Sequence, residues 1–375
     1  MNTGLEIGKG LPSGMRNLWS KEGKPNWDVI EAQDWFIELE NCPQDPTFHA
    51  EGDVGIHTKM VLNALMNLEE FKALNQYDQK ILAWSALLHD IGKPRCTMTD
   101  EEGYIRAPKH AAIGEKIARR MLWDMDFQAR EAICSLIRWH GLPIWCLEKK
   151  NPNYAVAVAS LRLTNKHLYL LSKADVLGRE SVGQEDFLER VELYKEFSIE
   201  QECWEEAKVF HNTHSQFKFF HKYLMYPAVI YDDTAFEVIL LSGIPGSGKD
   251  TYAKTQKLPI ISLDAIREEF NIKITDKKAQ GQVAQIAYKR AKEYAAKKTS
   301  FVWNSTNLTN ELRTRIINTL SVYNPRFKLV YIETSRANIM ARRRETIPVR
   351  KLEKMINMLE MPLPNEVHSI EYLRN

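Results

Sequence analysis

Six residues in the first half of the chain are of the types that ligate transition metals: His57, the doublet His89-Asp90, His110, His140 and Asp175. Neutral imidazoles and carboxylates suit Fe, Mn, Co, Ni or Zn. The doublet is the strongest signal. It follows the apolar run ILAWSALL and is closed by Ile91-Gly92-Lys93, so two polar side chains stand where a helix would bury them. Burying His and Asp there is costly unless something such as a metal compensates. A divalent metal held by such ligands can polarise the oxygens of a phosphate and lower the pKa of a water. Lys93, just beyond the doublet, and Arg179, just beyond Asp175, are candidate ligands of phosphate oxygens. Surface cations at helix ends are the plain alternative for both, and Arg138 is a third candidate.

A second set of residues handles phosphate differently. Gly243-Ile244-Pro245-Gly246-Ser247-Gly248-Lys249 follows the apolar strand FEVILLS and precedes a helical stretch. Glycines there let backbone N–H groups turn toward phosphates at a helix N-terminus, and Lys249 would reach the β- and γ-phosphates. The next position, normally Ser or Thr and a magnesium ligand, is Asp250, with Thr251 following. An aspartate could order Mg2+ directly or through water, while its charge would repel phosphate oxygens. Downstream, Asp264 is placed just past a strand end, where ligands meet in open α/β sheets. Arg267 lies three residues on, on the same helical face. A carboxylate beside an acceptor hydroxyl suits a general base in phosphoryl transfer, and an arginine could hold a phosphate of the acceptor. The strand FVWN ends at Asn304, where an acidic residue is common, and runs into Thr306 and Asn307. Arg342, Arg343 and Arg344, ahead of an Ile-Pro pair, read as a lid in which Arg342 or Arg344 stabilises transferring charge.

The elements that must position these groups fall into two kinds. From about residue 54 to 197 the pattern is helical, with amphipathic runs such as KILAWSALL and AAIGEKIARRMLWDM. Residues 198–235 also read as largely helical and as a connector packed against both halves. Beyond them, short apolar runs alternate with helical stretches in the βαβ rhythm of a parallel sheet. The expected organisation is therefore an all-α metal-dependent domain over 1–197, a connector over 198–235 and an α/β P-loop phosphotransferase domain with a parallel sheet over 236–375.

Bulk properties exclude several classes. The 375 residues are 44% hydrophobic and 27% charged, as in a soluble globular protein. No stretch approaches the roughly 18–20 apolar residues that span a bilayer, and the N-terminus lacks a signal-peptide core, so a cytoplasmic enzyme with no membrane partner is expected. Five cysteines without a CxxC pair argue against a disulfide framework and a zinc-thiolate site. A net charge of +2 supplies no whole-protein field for nucleic acid, which would have to be gripped locally.

The order His57, His89-Asp90, Asp175 resembles the HD superfamily of metal phosphohydrolases, and His110 and His140 resemble members that hold a second metal with Asp90 bridging. The run over roughly 40–185 also looks like the HD domain appended to bacterial CCA-adding enzymes, which acts on phosphates and 2′,3′-cyclic phosphates at RNA-type ends. Residues 236–365, with the P-loop, Ser262-Asp264-Arg267, a Thr-Asn element and an arginine lid, resemble polynucleotide 5′-kinases. Together the halves look like the bacterial HD-Pnk end-healing family. The resemblance implies ATP or another NTP with Mg2+ in one site and one or two divalent transition metals in the other. It also implies a nucleic-acid end, RNA above all, as substrate, upstream of a ligase. By carry-over, Asp264 would activate a 5′-hydroxyl and Arg267 would bind the neighbouring phosphate. A small-molecule or nucleoside kinase fused to a hydrolase of a signalling nucleotide is the alternative, and a binding protein with vestigial sites a third.

Overall fold

A computed structural model describes Met15 and residues 17–20, 22–222, 224–276, 278–343 and 347–375. The chain divides into two compact units, Met1–Val209 and Phe210–Asn375. The connector read from sequence is split by this boundary. Within it, the only helix among the described residues besides the end of Gln184–Glu200 is Thr213–His221. The expected longer helical run fails because Pro227 and the β-branched Val229 and Ile230 interrupt it, and its aromatic residues lack a sustained 3.6-residue period.

The first unit is helical, as expected. Four helices, Val54–Asn67, Gln76–Leu88, Phe127–Trp139 and Asn165–Leu177, pack on one another, and a fifth, His110–Met121, lies along Phe127–Trp139. The starts of the four are marked by Asp53, Asn75, Asp126 and Thr164, whose side-chain oxygens accept the backbone N–H three residues on. Each such cap is worth about 1 kcal/mol. The run Ile81–Leu88 is buried throughout, which makes Gln76–Leu88 the central helix of the core. A small antiparallel hairpin, β1 (Met98–Thr99) with β2 (Ile105–Arg106), interrupts the helices. Its two-residue strands leave no alternation to read in the sequence; Gly103, at φ 89°, makes its turn.

The second unit is built on a five-stranded, wholly parallel sheet: β3 (Glu237–Ser242), β4 (Ile260–Ser262), β5 (Phe301–Asn304), β6 (Arg326–Glu333) and β7 (Ser369–Arg374). The spatial order is β4-β5-β3-β6-β7. The chain therefore leaves central β3 in one direction and returns on its other side, which opens a crevice at the carboxyl ends of the strands. Val238 to Ser242 are buried without alternation, as expected for a strand covered on both faces. No helix among the described residues is long and apolar enough to cross a membrane.

Candidate active sites

In the helical unit all six expected ligands meet. His57 sits in the first turn of Val54–Asn67, His89 caps the end of Gln76–Leu88, and Asp90 follows it. His110 opens its helix, His140 ends Phe127–Trp139, and Asp175 lies near the end of Asn165–Leu177. One cluster joins His57, His89 and Asp90, and another joins Asp90, His110 and His140, the ligand atoms in each lying within 4.8 Å of one another. Asp175 Oδ1 is 3.1 Å from His57 Nε2. The two oxygens of Asp90 are divided between the clusters. Oδ2 lies 3.2 Å from His89 Nε2, whereas Oδ1 faces His110 Nε2 at 3.5 Å and His140 Nε2 at 4.0 Å.

The imidazoles are aimed by their other nitrogens. Nδ1 of His89, His110 and His140 each donates to a backbone carbonyl three residues back, at 2.8 Å. His57 Nδ1 has the Gly178 carbonyl at 3.2 Å and the Glu51 carboxylate at 2.9 Å. With Nδ1 held in this way, every Nε2 is directed at the centre. These nitrogens face one another: His57 and His89 Nε2 are 3.4 Å apart, and His110 and His140 Nε2 are 3.2 Å apart. At that separation each pair needs a metal ion or a shared proton between its nitrogens. Asp90 Oδ1 is moreover buried without a hydrogen-bond partner among the described residues. The donor set thus fits a divalent-metal centre.

Fixed cations set the charge of the carboxylates. Burial alone would raise the carboxyls of Asp90 and Asp175, but Lys93 holds the first well below the usual carboxylate range, and Arg179 the second. Burial pushes His140 down to about 4, so it remains a neutral ligand near pH 7. Gly178 is required by close approach: a Cβ there would stand 2.5 Å from the Val61 backbone, between the helix carrying Asp175 and the helix carrying His57.

Lys93 and Arg179, read as candidate phosphate ligands, line the cleft above the ligands but are already paired. Lys93 Nζ lies 2.7 Å from Asp90 Oδ2, and Arg179 donates to Asp175 Oδ1 at 2.6 Å. Arg138, on the helix Phe127–Trp139, is directed instead toward Glu115, 3.6 Å away. Two residues of the site escape a reading of the sequence, Glu51 and His49. Glu51 accepts from His49 Nδ1 at 2.8 Å as well as backing His57, and its other oxygen accepts the Glu180 N–H at 2.9 Å. It precedes the helix cap Asp53 on a loop, where no periodicity marks it.

In the second unit the P-loop follows β3 as expected. Gly243, Gly246 and Gly248 have φ of 149°, 88° and 111°. At Gly243 a Cβ would also meet the Ile332 carbonyl at 2.3 Å. Lys249 is buried, and its ammonium donates to the carbonyls of Gly243 at 2.8 Å and Ile244 at 3.0 Å. Ser247 Oγ is buried without a partner among the described residues, as suits a hydroxyl that meets a phosphate oxygen. Asp250 and Thr251, in the first turn of the helix that follows, are both exposed.

The two departures from the usual pattern meet each other. Asn304 Nδ2 donates to Asp250 Oδ1 at 2.7 Å. The acid has moved to the position after the lysine, and the strand end supplies an amide that orients it. Strand register sets Leu241, Asn304 and Ser262 level across β3, β5 and β4, so Asp264 follows at the same edge of the crevice. Asp264 is exposed and accepts from Arg267, which also donates to Gln280 at 2.8 Å. Thr306 and Asn307 brace the loop. The Thr306 carbonyl accepts the Gly243 N–H at 3.0 Å, and Asn307 Nδ2 donates to the Leu241 carbonyl at 2.7 Å. Arg342 reaches the P-loop and donates to the Gly246 carbonyl at 3.0 Å. Arg344 lies outside the described residues.

The chain matches the HD domain family over residues 54–165 and the AAA domain family over residues 238–357. It is similar to the multifunctional CCA protein of Halorhodospira halophila, 32% identical over 104 residues, which are 27% of this chain and 22% of that protein. A second multifunctional CCA protein, from Hahella chejuensis, is 29% identical over 114 residues, 28% of this chain and 24% of that protein. The chain thus spans about a quarter of the length of these curated relatives. Among solved structures, a sugar kinase from Janibacter sp. HTCC2649 aligns at 20% identity and a TM-score of 0.29, over 37% of this chain and 85% of that one. A helical HD domain is therefore followed by a P-loop kinase-like domain, an arrangement of phosphohydrolase and phosphotransferase character.

Proposed function

We propose that the protein heals broken RNA ends, removing a 3′-phosphate, 2′-phosphate or 2′,3′-cyclic phosphate with its HD unit and phosphorylating a 5′-hydroxyl with its P-loop unit. The observation that carries the reading is the pairing, on one chain, of a six-ligand hydrolytic constellation with a P-loop whose crevice edge holds Asp264 and Arg267. Nucleases commonly leave a 2′,3′-cyclic phosphate and a 5′-hydroxyl, whereas ligases need a 3′-hydroxyl and a 5′-phosphate. The two chemistries answer those two defects.

In the HD unit, metals held by His57, His89, Asp90, His110, His140 and Asp175 would supply Lewis acidity and a low-pKa water. The residues of the chain set charge around them. Lys93 and Arg179 hold the two ligand carboxylates ionised and stand at the cleft wall, from which they can turn to a phosphate oxygen. In the P-loop unit the backbone cradles the NTP phosphates, Lys249 exchanges its loop carbonyls for phosphate oxygens, and Arg342 closes on the donor. Asp264 accepts the proton of the 5′-hydroxyl and Arg267 binds the adjacent phosphate.

One labelled oligoribonucleotide tests this. With ATP and Mg2+, a 5′-hydroxyl end should gain phosphate, and with Mn2+, Co2+ or Ni2+ a 2′,3′-cyclic or 3′-phosphate end should lose it. Asp264→Ala should abolish only the first activity. An inert oligonucleotide alongside a phosphorylated free nucleoside would overturn the reading in favour of a nucleoside kinase.

A further inference from the structure

We infer that the mouth of the HD cleft is a base-stacking subsite for the terminal nucleotide of the nucleic-acid end, formed by Phe48, Tyr104 and Trp145. The inference rests on the end-hydrolysis reading of the same cleft and adds what recognises its substrate. The cleft has a volume of about 870 Å3, with Asp90, His110, His140 and Asp175 among its lining residues. Phe48, Tyr104 and Trp145 line it too, and remain 47%, 48% and 43% exposed. Single exposed aromatics are ordinary on protein surfaces. Three that come from three separate segments and open on one metal-ligand cleft are not scattered.

The segments that carry them are anchored to the unit. Asp45 ties two of the segments together: one carboxylate oxygen accepts the Thr47 N–H at 3.0 Å and the other the Ile105 N–H at 3.3 Å. The loop bearing Phe48 and the hairpin bearing Tyr104 are thereby joined. Trp145 ends the short helix that follows His140, and packs edge-on against Phe187 with centroids 6.0 Å apart. Cations accompany the rings. Arg106 lies 5.7 Å from the Tyr104 centroid, and Arg190 lies 5.1 Å from that of Trp145.

This chemistry favours a nucleobase. A phosphate alone needs only the ligands and cations of the floor, and a sugar phosphate would add hydroxyls calling for polar partners. A flat π-surface beside a phosphate finds its match in aromatic faces. Because stacking tolerates every base, the subsite should read the presence of a base rather than its identity.

Steady-state hydrolysis of a 2′,3′-cyclic-ended oligoribonucleotide, with inorganic phosphate as a baseless inhibitor, tests the inference. Trp145→Ala and Tyr104→Ala should each raise KM on the order of ten-fold, the loss expected for one stacking contact, while the Ki for phosphate stays as in the wild type. Trp145→Phe and Tyr104→Phe should restore KM, and metal content should be unchanged in all four variants. A parallel rise in KM and phosphate Ki, or an unaltered KM in both alanine variants, would overturn the subsite. If the oligonucleotide is inert but nucleoside 2′,3′-cyclic monophosphates are hydrolysed with the same variant pattern, the end-healing reading fails and the base subsite stands. If neither is hydrolysed, both fall.

Discussion

The two phosphate sites prepare themselves in opposite ways. In the HD unit the imidazoles of His57, His89, His110 and His140 are already turned, Nδ1 fixed on a carbonyl and Nε2 aimed inward. In the P-loop unit the key cation is folded onto the carbonyls of its own loop. A metal ion demands ligands at set distances and angles, so its site is built from helix ends that cannot drift. A polyphosphate is bound largely by backbone N–H groups, so the loop alone must be rigid and the lysine can wait for its partner. One site is rigid in its side chains, and the other in its backbone.

Removing one group from each site tests whether the two act independently. Asp90→Ala should lower hydrolysis by about 10^3-fold or more, because both clusters share this residue, and leave 5′-phosphorylation intact. Lys249→Ala should do the reverse. Loss of both activities in either variant, assayed on the same oligonucleotide, would show that the sites are not independent. Next in size, Glu51→Gln should weaken metal affinity roughly 10–100-fold by unfixing His57, measured by metal titration of the chelator-stripped protein.

Smaller effects are expected on the P-loop side. Asn304→Asp would set a second carboxylate against Asp250, and should raise the KM for Mg-ATP about ten-fold. Adding Asp250→Ser should recover most of that loss, since the pair then takes the more common arrangement; additive losses would show that the two residues do not act together. A further effect concerns pH and the P-loop unit. Burial, then the neighbouring His214, pushes His368 down to about 3. Its Nδ1 accepts the Phe327 N–H at 3.0 Å, a bond that protonation would remove. A depressed histidine contributes stability that is full above its ordinary value of 6.5 and is lost as pH falls from there toward about 3. The Tm of this unit should therefore fall over that range, and His368→Gln should flatten the dependence.

Much of this was legible in the sequence, for a physical reason. The candidate metal ligands and the P-loop are short local patterns in which each residue sits beside a run that reveals its element, as His89-Asp90 does after ILAWSALL. The parallel sheet was legible because buried strands are apolar throughout. What escaped was non-local. Glu51 acts on His57 through a loop, Asp250 meets Asn304 across 54 positions, and Phe48, Tyr104 and Trp145 converge only after folding. The connector misled because aromatic and polar residues resemble a helix face until Pro227 and the β-branched pair are given their due.

The nitrogens that face one another across the HD centre have a consequence for the fold itself. They arrive from the ends of different helices, so a bound metal ion is also a cross-link among those helices. Ligand binding to the native state alone adds about 4 kcal/mol at a thousand-fold excess over Kd. Metal supply would then govern how long this half of the protein lasts as well as how fast it works. Chelation should lower its melting temperature, and that shift would register loading without any substrate being turned over.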